Sequence, residues 1–553
     1  MQAQNKSRAL FWALLIACGV LWFYALGART LVPTDEGRYA EMAREMIATG
    51  DWITPRLDAI KYFEKPPLQV WVTALAFKAF GLGEWQARLW TGLCGLLGVG
   101  LLAYTGRKLF NPQVGMAAGL VLASSFWWSA FGHINTLDMG LSGMMTLALC
   151  GLLLSQHAPD GSRERRNWML VCWAGMALAV LSKGLIGIVL PGAVLVWYTL
   201  ITRDWAIWKR LHLLAGLLVF FAISAPWFVL VSLKNPEFAH FFFYHEHIER
   251  FITKIHDRYH PWHYFVPMLL AGIMPWLAVL PQSLLAGVRK TSGTFQPKMM
   301  LVVWAGFIYF FFSISDSKLP SYILPVFPAL ALLIAAYLPG ASRFAWRLLA
   351  GSVALVGAAG MAYVPLLPAM AGDPAEVANF VAAQPWAYAG CALLLLGGLT
   401  VLWLSRQDRG DFANPCCTIL AIASFAAGQL FMLGTEPEGA YRAGLPLVQA
   451  ISAELAADTP IYAVGLYDQT LPFYLRRTMT LVEHADELDF GLKQEPQLWL
   501  PTIDDFVARW GNGRKALAIT RPEIYADLQK RGVPMRLIVR DTRRVVIAND
   551  MAR

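Results

Sequence analysis

A long series of apolar segments is the feature that most constrains the fold of this chain. An apolar helix of about 20 residues matches the roughly 30 Å hydrocarbon core of a membrane. Only 15% of the residues are charged, whereas soluble proteins carry about 25%. The sequence therefore predicts a polytopic α-helical membrane protein with about thirteen spans, near residues 9–27, 87–106, 113–131, 134–155, 167–182, 184–201, 210–231, 262–285, 298–314, 319–338, 344–366, 386–405 and 415–433.

Basic residues between these segments predict the orientation of the chain. They recur at every second connection, for example at Arg107/Lys108 and Arg289/Lys290, as the positive-inside rule requires of cytoplasmic loops. This distribution explains the net charge of +9 as a topology signal rather than as a nucleic-acid-binding surface. The N-terminus is then cytoplasmic, and two large loops, 28–86 and 232–261, lie on the outer face together with the C-terminus.

The outer loop 28–86 is predicted to contain two helices that do not cross the membrane. Apolar residues from Tyr39 to Ile47 recur with helical spacing, and Gly50 is placed to end that helix. We expect it to lie flat on the membrane surface with its carboxylate-bearing N-terminus presented to the water side. Residues 66–80 are apolar, but about 15 residues at ~1.5 Å each reach only about 22 Å. They are predicted to form a second surface or re-entrant helix.

The composition changes near Glu436, which predicts a second domain. Four apolar runs have the length of strands, and they alternate with helical stretches near 443–456, 503–510 and 522–531. This alternation is typical of a small α/β fold. We therefore predict a transmembrane domain over residues 1–434 and a soluble outer-face α/β domain over 435–553, with strands near 460–464, 515–520, 536–539 and 544–547.

Three carboxylates are the candidate catalytic groups. Asp35 and Glu36 begin the predicted surface helix, and Asp138 follows Leu137 at the outer end of a span. A carboxylate at membrane depth costs ~2.5 kcal/mol or more unless it is paired or functional. Acidic residues at a helix N-terminus commonly only complement the helix dipole. Two carboxylate sites at one membrane face nevertheless suit general-base chemistry or cation binding.

Cationic side chains gather at the same predicted face, against the positive-inside bias. Each alone could be a side chain that snorkels to the membrane surface. Together they predict a site for a phosphate group, because Arg offers a bidentate fork and Lys a point charge. The predicted phosphate-binding residues are Arg38, Lys65, Arg250 and Lys318, with Lys183 behind them and Tyr322 as a hydrogen-bond donor.

A histidine-rich loop raises the question of a divalent metal. The loop runs from Tyr244 to Arg250 and contains His245. Together with Glu64, His245 could bind Zn²⁺, Mg²⁺ or Mn²⁺, although the spacing matches no recognised zinc signature. Histidine is also common at membrane interfaces. The sequence therefore leaves a metal as one of two interpretations and requires no cofactor.

Several motifs resemble one enzyme family along essentially the whole chain. They are Asp35-Glu36-x-Arg38-Tyr39, Glu64-Lys65-Pro66-Pro67-Leu68, Leu137-Asp138, Leu181-Ser182-Lys183-Gly184 and Ser317-Lys318-Leu319-Pro320-x-Tyr322. This pattern resembles the GT-C glycosyltransferases related to protein O-mannosyltransferases, which use polyprenyl-phosphate sugars. Within that superfamily it is most similar to the bacterial lipid A 4-amino-4-deoxy-L-arabinose transferases.

The resemblance implies a function, a location and residue roles. It implies transfer of 4-amino-4-deoxy-L-arabinose from undecaprenyl phosphate to lipid A phosphates, at the periplasmic face of the bacterial inner membrane. The resemblance also implies that this modification of lipopolysaccharide gives resistance to polymyxin and other cationic peptides. The family also implies a principal catalytic role for Asp35, and donor-phosphate binding by Lys65 and Arg250. We expect a monomer whose partners are the lipid-linked sugar, the lipid A acceptor and membrane lipids, with no nucleic acid.

Two alternatives remain at this stage. The same chemistry could serve another lipid-linked sugar, or an acceptor on a protein or another glycan. A transporter of lipid-linked sugars is the alternative from a different class, although no internal repeat of the kind common in transporters is visible. The enzymatic interpretation predicts that Asp35, Lys65, Asp138 and Arg250 line a single outward-facing cavity.

Overall fold

The computed structural model describes residues 2–249, 260–290, 293–407, 412–511 and 514–549. Side chains are described from Trp12 onward, apart from residues 246–249. Within these ranges the chain is mostly helical, and a single mixed α/β unit lies near its C-terminus. This agrees with the predicted fold class.

The described residues contain eight helices that are long and apolar enough to cross a membrane. A further candidate is a pair of helices bent by 109° between Gly272 and Trp276, where Pro275 has no amide N–H to continue the first helix. The predicted polytopic helical fold is confirmed, whereas the number of thirteen spans stays a prediction. The eight helices are Glu84–Leu109, Leu137–His157, Leu213–Lys234, Pro297–Ile314, Pro320–Gly340, Arg343–Met370, Pro374–Leu404 and Ala413–Arg442.

Shorter or more polar helices complete the bundle. Helix Arg163–Lys183 makes the most extensive contact of the bundle with Leu137–His157. The helix over the predicted surface segment 66–80 is Leu68–Phe80, whose 13 residues rise only about 20 Å. The bent pair is Trp262–Gly272 and Trp276–Gly287, and the other short apolar helices are Trp12–Gly27, Pro112–Ser124 and Ile186–Thr202.

The predicted surface helix spans Asp35–Thr49 and ends at Gly50, whose φ of 71° is left-handed. We call it the Asp35 helix. Its bounds match the prediction. The charged side chains of Glu41 and Glu45 are 0% and 3% exposed, because other parts of the chain cover this face. The charged face of the helix is therefore an internal surface of the protein.

Two elements cover the charged face of the Asp35 helix. The first is a hairpin of strands β1 (Arg56–Leu57) and β2 (Ile60–Lys61). The Glu45 carboxylate accepts hydrogen bonds from the backbone N–H groups of Asp58 (2.6 Å) and Ala59 (2.7 Å) in the hairpin turn. The second is the C-terminal α/β unit, where the N–H of Met479 donates to the Asp58 carboxylate at 2.6 Å.

The C-terminal unit contains a six-stranded mixed sheet in the order β5-β4-β3-β6-β8-β7. The first four of these strands are parallel, and β8 pairs antiparallel with both β6 and β7. Four strands match the predicted runs, whereas the short strands β4 and β5 were not predicted. The strands are β3 (Ile461–Val464), β4 (Thr480–Val482), β5 (Trp499–Leu500), β6 (Leu517–Thr520), β7 (Arg536–Arg540) and β8 (Val545–Ala548).

Helices flank this sheet and join it to the membrane part. The helices are Glu436–Arg442, Leu445–Glu454, Leu471–Leu475, Asp489–Gln494, Ile503–Trp510 and Pro522–Lys530. One apolar cluster contains Tyr39 and Leu137 from the N-terminal part together with Leu447 and Leu481 from the C-terminal unit. The sheet is thus packed directly against the Asp35 helix and shares a hydrophobic core with it.

Candidate active site

Asp35 is the first residue of the Asp35 helix, and its side chain is 37% exposed. Its Oδ1 accepts a hydrogen bond from the Arg38 guanidinium one turn later, at 2.9 Å. Its Oδ2 lies 3.4 Å from the hydroxyl of Thr136. Asp35 is therefore a partly accessible carboxylate held in a defined orientation.

Asp138 lies in the first turn of helix Leu137–His157 and is buried. One carboxylate oxygen forms an ion pair with Lys183, and the other accepts a hydrogen bond from Ser321 at 2.8 Å. The hydroxyl of Thr136 lies 3.4 Å from Asp138 as well as from Asp35. Thr136 therefore links the two predicted carboxylates, and Lys183 supplies the positive charge that makes the burial of Asp138 tolerable.

The C-terminal unit contributes a third carboxylate to the same region. Glu487 forms an ion pair with Arg38 and accepts a hydrogen bond from the Gln469 amide at 3.2 Å. Burial raises the pKa of the Glu487 carboxyl group, and the nearby charge of Glu64 adds to this effect. Arg38 thus lies between Asp35 of the membrane part and Glu487 of the C-terminal unit.

These groups surround a cavity of about 450 Å³. An apolar wall is formed where Phe241 stacks on Phe490 of the C-terminal unit, with ring centroids 3.9 Å apart. We call this space the Asp35 cavity. The residues that line it are Thr34, Asp35, Arg38, Tyr39, Glu64, Lys65, Leu137, Asp138, Lys183, Phe241, His245, Leu319, Tyr322, Gln469, Asp486, Glu487, Asp489 and Phe490.

Glu36 points away from this cavity although it follows Asp35 in the sequence. It is 1% exposed and forms a two-pronged ion pair with Arg88, at 2.6 and 2.8 Å. Backbone N–H groups of Val32 and Asn135 also donate to its carboxylate. These contacts give Glu36 a positioning role at the start of the helix rather than the predicted contact with substrate.

One predicted phosphate-binding cation, Lys318, is not among the residues that line the cavity. The Lys318 ammonium group is directed at the backbone carbonyls of His260 and Ser315, and Lys318 is only 3% exposed. Its role as a phosphate ligand is therefore not supported by its geometry, although Tyr322 from the same turn lines the cavity. Arg250 lies outside the described residues.

The two residues considered as metal ligands, Glu64 and His245, both line the Asp35 cavity. Within the described ranges, however, no group of three His, Cys, Asp or Glu side chains is arranged to hold a metal ion. Structural and catalytic zinc sites commonly use three or more protein ligands. A metal at Glu64 and His245 therefore stays a prediction.

The cavity combines anionic and cationic groups within reach of one ligand. Lys65, Lys183 and Arg38 can face a phosphate group, and Asp35 and Asp138 can face a sugar. Lys183 lies 4.3 Å from the ring centre of Tyr322 and is a core member of the site, although the sequence placed it only behind the other cations. The C-terminal residues from Gln469 to Phe490 were missed, because no local motif links them to residues more than 400 positions earlier.

Two family models match the chain. The model described as "Dolichyl-phosphate-mannose-protein mannosyltransferase" matches residues 64–229. The model described as "Aminoarabinose transferase C-terminal domain" matches residues 447–549. The first match covers much of the helical part, including Lys65, Asp138 and Lys183, and the second covers the sheet.

Individual proteins give matches over nearly the whole length. An undecaprenyl phosphate-alpha-4-amino-4-deoxy-L-arabinose arabinosyl transferase of Edwardsiella ictaluri is 32% identical over 496 residues, covering 87% of each chain. The crystal structure of ArnT from Cupriavidus metallidurans bound to undecaprenyl phosphate aligns with a TM-score of 0.92 and 41% identity over 97% of each chain. An oligosaccharyltransferase of Archaeoglobus fulgidus shares the fold alone, with a TM-score of 0.52 and 12% identity over 93% of this chain and 70% of the other.

Proposed function

Because the chain belongs to the family of undecaprenyl phosphate-alpha-4-amino-4-deoxy-L-arabinose arabinosyl transferases, we propose that it transfers 4-amino-4-deoxy-L-arabinose from undecaprenyl phosphate to a phosphate group of lipid A. The observation that carries this proposal is the convergence of Asp35, Lys65, Asp138 and Lys183 on one cavity. The likeness to a structure that contains undecaprenyl phosphate supports the choice of donor.

The charges of the Asp35 cavity suit the two halves of this transfer. The bond between the sugar C1 and the donor phosphate oxygen breaks, and undecaprenyl phosphate leaves with the electron pair. Negative charge grows on that phosphate, so the cations Lys65 and Lys183 stabilise the departing group. An oxygen of the acceptor phosphate forms the new bond to C1. That phosphate is already ionised near neutral pH, so the step requires little help from a general base.

Asp35 therefore acts on the sugar in this proposal, and Asp138 acts through Lys183. Asp35 is partly exposed to the cavity and oriented by Arg38. It is placed to stabilise positive charge that develops at C1, or to bind the ammonium group at C4 of the sugar. Asp138 is more deeply buried and already paired with Lys183, so its principal effect is to position that lysine.

The proposal also assigns a location to the cavity. Asp35 and Asp138 lie at ends of helices that the basic loops place on the non-cytoplasmic side. We therefore place the enzyme in the inner membrane with its active site facing the periplasm. Cysteine labelling tests this location: Thr49→Cys in the outer loop is expected to react with a membrane-impermeant maleimide in intact spheroplasts, whereas Arg163→Cys is expected to react only after permeabilisation.

Mass spectrometry of lipid A tests the donor and the acceptor together. Lipid A from cells that express the protein is expected to gain the mass of one or two aminopentose groups, and lipid A from cells that express Asp35→Asn is expected to lack them. A modified protein or a different glycan in place of lipid A would leave the GT-C chemistry intact and overturn the assigned acceptor. No sugar transfer to any acceptor would overturn the enzymatic proposal.

A divalent metal bound through Glu64 and His245 is a separate proposal about the same cavity. When bound there, such an ion would add positive charge beside Lys65, where the donor phosphate is expected. Metal content of the purified protein, measured by mass spectrometry of the element, is expected to fall in the Glu64→Gln/His245→Gln variant. Equal metal content in the variant and the parent protein would contradict this assignment.

A further inference from the structure

A second cavity, of about 500 Å³, lies in the C-terminal unit beside the Asp35 cavity. It is rich in arginine, and its contacts are separate from those of Asp35 and Asp138. We call it the arginine pocket. The residues that line it are Pro33, Arg442, Leu466, Tyr467, Asp468, Gln469, Arg521, Pro522, Glu523, Thr542, Arg543 and Arg544.

The position of the arginine pocket in the sheet is the one that ligands favour in open α/β folds. Strand β3 ends at Val464, parallel strand β6 ends at Thr520, and the pocket is built from the residues that follow each of them. The chain runs from β3 to β4 on one side, and β6 lies on the other side of β3. This is a topological switch point, where the connections leave in opposite directions and open a crevice at the carboxyl ends of the strands.

The charges of the arginine pocket favour an anionic ligand. Its four guanidinium groups face two carboxylates, Asp468 and Glu523. Within the part of the chain that the structure describes, Arg521 and Arg543 have no ion pair or side-chain hydrogen bond, and both are exposed. Two unpaired guanidinium groups at one opening are a suitable fork for a phosphate.

Arg544 is the buried arginine of the pocket. It is 4% exposed and is fixed by the carbonyl of Arg442 at 2.7 Å and by an ion pair with Asp468 at 3.2 Å. The Nη1 atom is the one that pairs with Asp468, so the charge of Arg544 is already balanced within the protein. The exposed side chains of Arg521 and Arg543 are therefore the groups that are available to an anion.

The arginine pocket adjoins both the Asp35 cavity and the membrane part. Gln469 lines both cavities, and Pro33 of the pocket directly precedes Thr34 of the Asp35 cavity. Arg442 ends the seven-residue helix Glu436–Arg442, which forms the last part of the apolar stretch Ala413–Arg442 and rises only about 10 Å beyond Gly434. A large headgroup at the membrane surface could therefore reach both cavities.

We propose that the arginine pocket binds a phosphate group of the glycolipid acceptor while another part of the same headgroup occupies the Asp35 cavity. This inference rests on the proposed function for the identity of the acceptor, but its binding test does not require sugar transfer. Arg521 and Arg543 bind the phosphate directly, while Arg544 stays paired with Asp468. The pocket thereby selects acceptors that carry more than one anionic group.

Binding to the full-length protein in nanodiscs tests the proposal. The variant is Arg521→Gln/Arg543→Gln, and the matched control is Arg509→Gln, an exposed arginine on helix Ile503–Trp510 outside the pocket. The probes are lipid A with two phosphates, lipid A with one phosphate, and inorganic phosphate. The double variant is expected to bind diphosphoryl lipid A about tenfold or more weakly, since two charge-assisted hydrogen-bond donors are lost, and the control is expected to bind it normally.

Kinetic measurements separate this proposal from the proposed function. The double variant is expected to show a raised KM for diphosphoryl lipid A, with kcat and the KM for the donor unchanged. Unchanged affinity for diphosphoryl lipid A would overturn the proposal even if transfer is confirmed. An equal loss of affinity for inorganic phosphate and for lipid A would identify a free-phosphate site and overturn the headgroup assignment. If no transfer occurs but diphosphoryl lipid A binding depends on the two arginines, the pocket stands and the proposed function fails.

Discussion

Asp35 and Glu36 are adjacent acidic residues in the first turn of one helix, yet they lie in opposite environments. Asp35 is 37% exposed, faces the cavity and is held by Arg38. Glu36 is 1% exposed and is enclosed by Arg88 and by two backbone N–H groups. Consecutive side chains of a helix point about 100° apart, so one faces the ligand space and the other faces the protein interior.

The difference in exposure separates a carboxylate that can contact a substrate from one that stabilises the fold. Glu36 and Arg88 neutralise each other's charge. Their pair also fixes the N-terminus of the helix to residues Leu26–Thr30, where Arg88 donates to three backbone carbonyls. Asp35 keeps part of its surface available to a substrate. We therefore expect substitutions at Asp35 to affect activity, and substitutions at Glu36 to affect folding.

The largest expected effect is that of Asp35→Asn on sugar transfer. The substitution removes a negative charge without changing the shape of the side chain, and we expect transfer to fall by about 100-fold or more while the melting temperature stays close to that of the parent protein. The control is Asp504→Asn, an exposed aspartate of the C-terminal unit. Full activity of Asp35→Asn, measured with purified donor and acceptor, would show that the exposed carboxylate of Asp35 is not needed for sugar transfer.

Glu36→Gln tests the structural role expected of the buried carboxylate. Removing one partner of a buried ion pair leaves Arg88 uncompensated, which typically costs about 3–5 kcal/mol of stability. We expect a lower melting temperature and a lower yield of folded protein in detergent. The double variant Glu36→Gln/Arg88→Met is expected to recover part of this loss, because no charge is then left unpaired. A stable but inactive Glu36→Gln protein would instead place Glu36 in the chemistry.

Lys65→Ala tests whether the Asp35 cavity also binds the donor phosphate. Lys65 lines the cavity beside Glu64, and loss of a charged hydrogen-bond donor is expected to raise the KM for the lipid-linked sugar about tenfold. The matched control is Lys78→Ala, an exposed lysine in the last turn of helix Leu68–Phe80. A donor KM equal to that of the control would remove Lys65 from the phosphate site.

Glu45 is a further carboxylate of the same helix, and it is expected to make the stability of the protein depend on pH. Burial, with Glu41 beside it, raises the pKa of Glu45 from 4.5 to about 8. The folded protein therefore holds this proton more tightly than the unfolded chain, so the stabilisation is complete below about pH 4.5 and is lost as the pH rises through about 8. The slope is at most about 1.4 kcal/mol per pH unit.

Melting temperatures between pH 5 and pH 9 measure this dependence. They are expected to decrease over the range in the parent protein and to change less in Glu45→Gln. This result would show that protein groups rather than water determine the charge state of Glu45, as they do for Glu36. Identical pH profiles for the two proteins would show that Glu45 is ionised in the fold.

Much of this architecture can be predicted from local sequence patterns. The apolar segments predict helices that the structure confirms, and Gly50 ends the Asp35 helix as its position indicated. The motifs around Asp35, Lys65 and Asp138 identified the family and three residues of the cavity. Local patterns succeed here because helix formation and membrane insertion depend on residues that are close together in the chain.

The tertiary structure alone decided which charged residues share a space. Glu487 joins Arg38 across 449 positions, Glu36 turns inward to Arg88, and Lys318 is held by backbone carbonyls. The charged face of the Asp35 helix is covered by the β1–β2 hairpin and the C-terminal unit, although the periodicity of its residues indicated only that the face is polar. Periodicity reports that a face is polar, but whether water or another polar surface meets it depends on contacts between distant segments, and no local pattern contains that information.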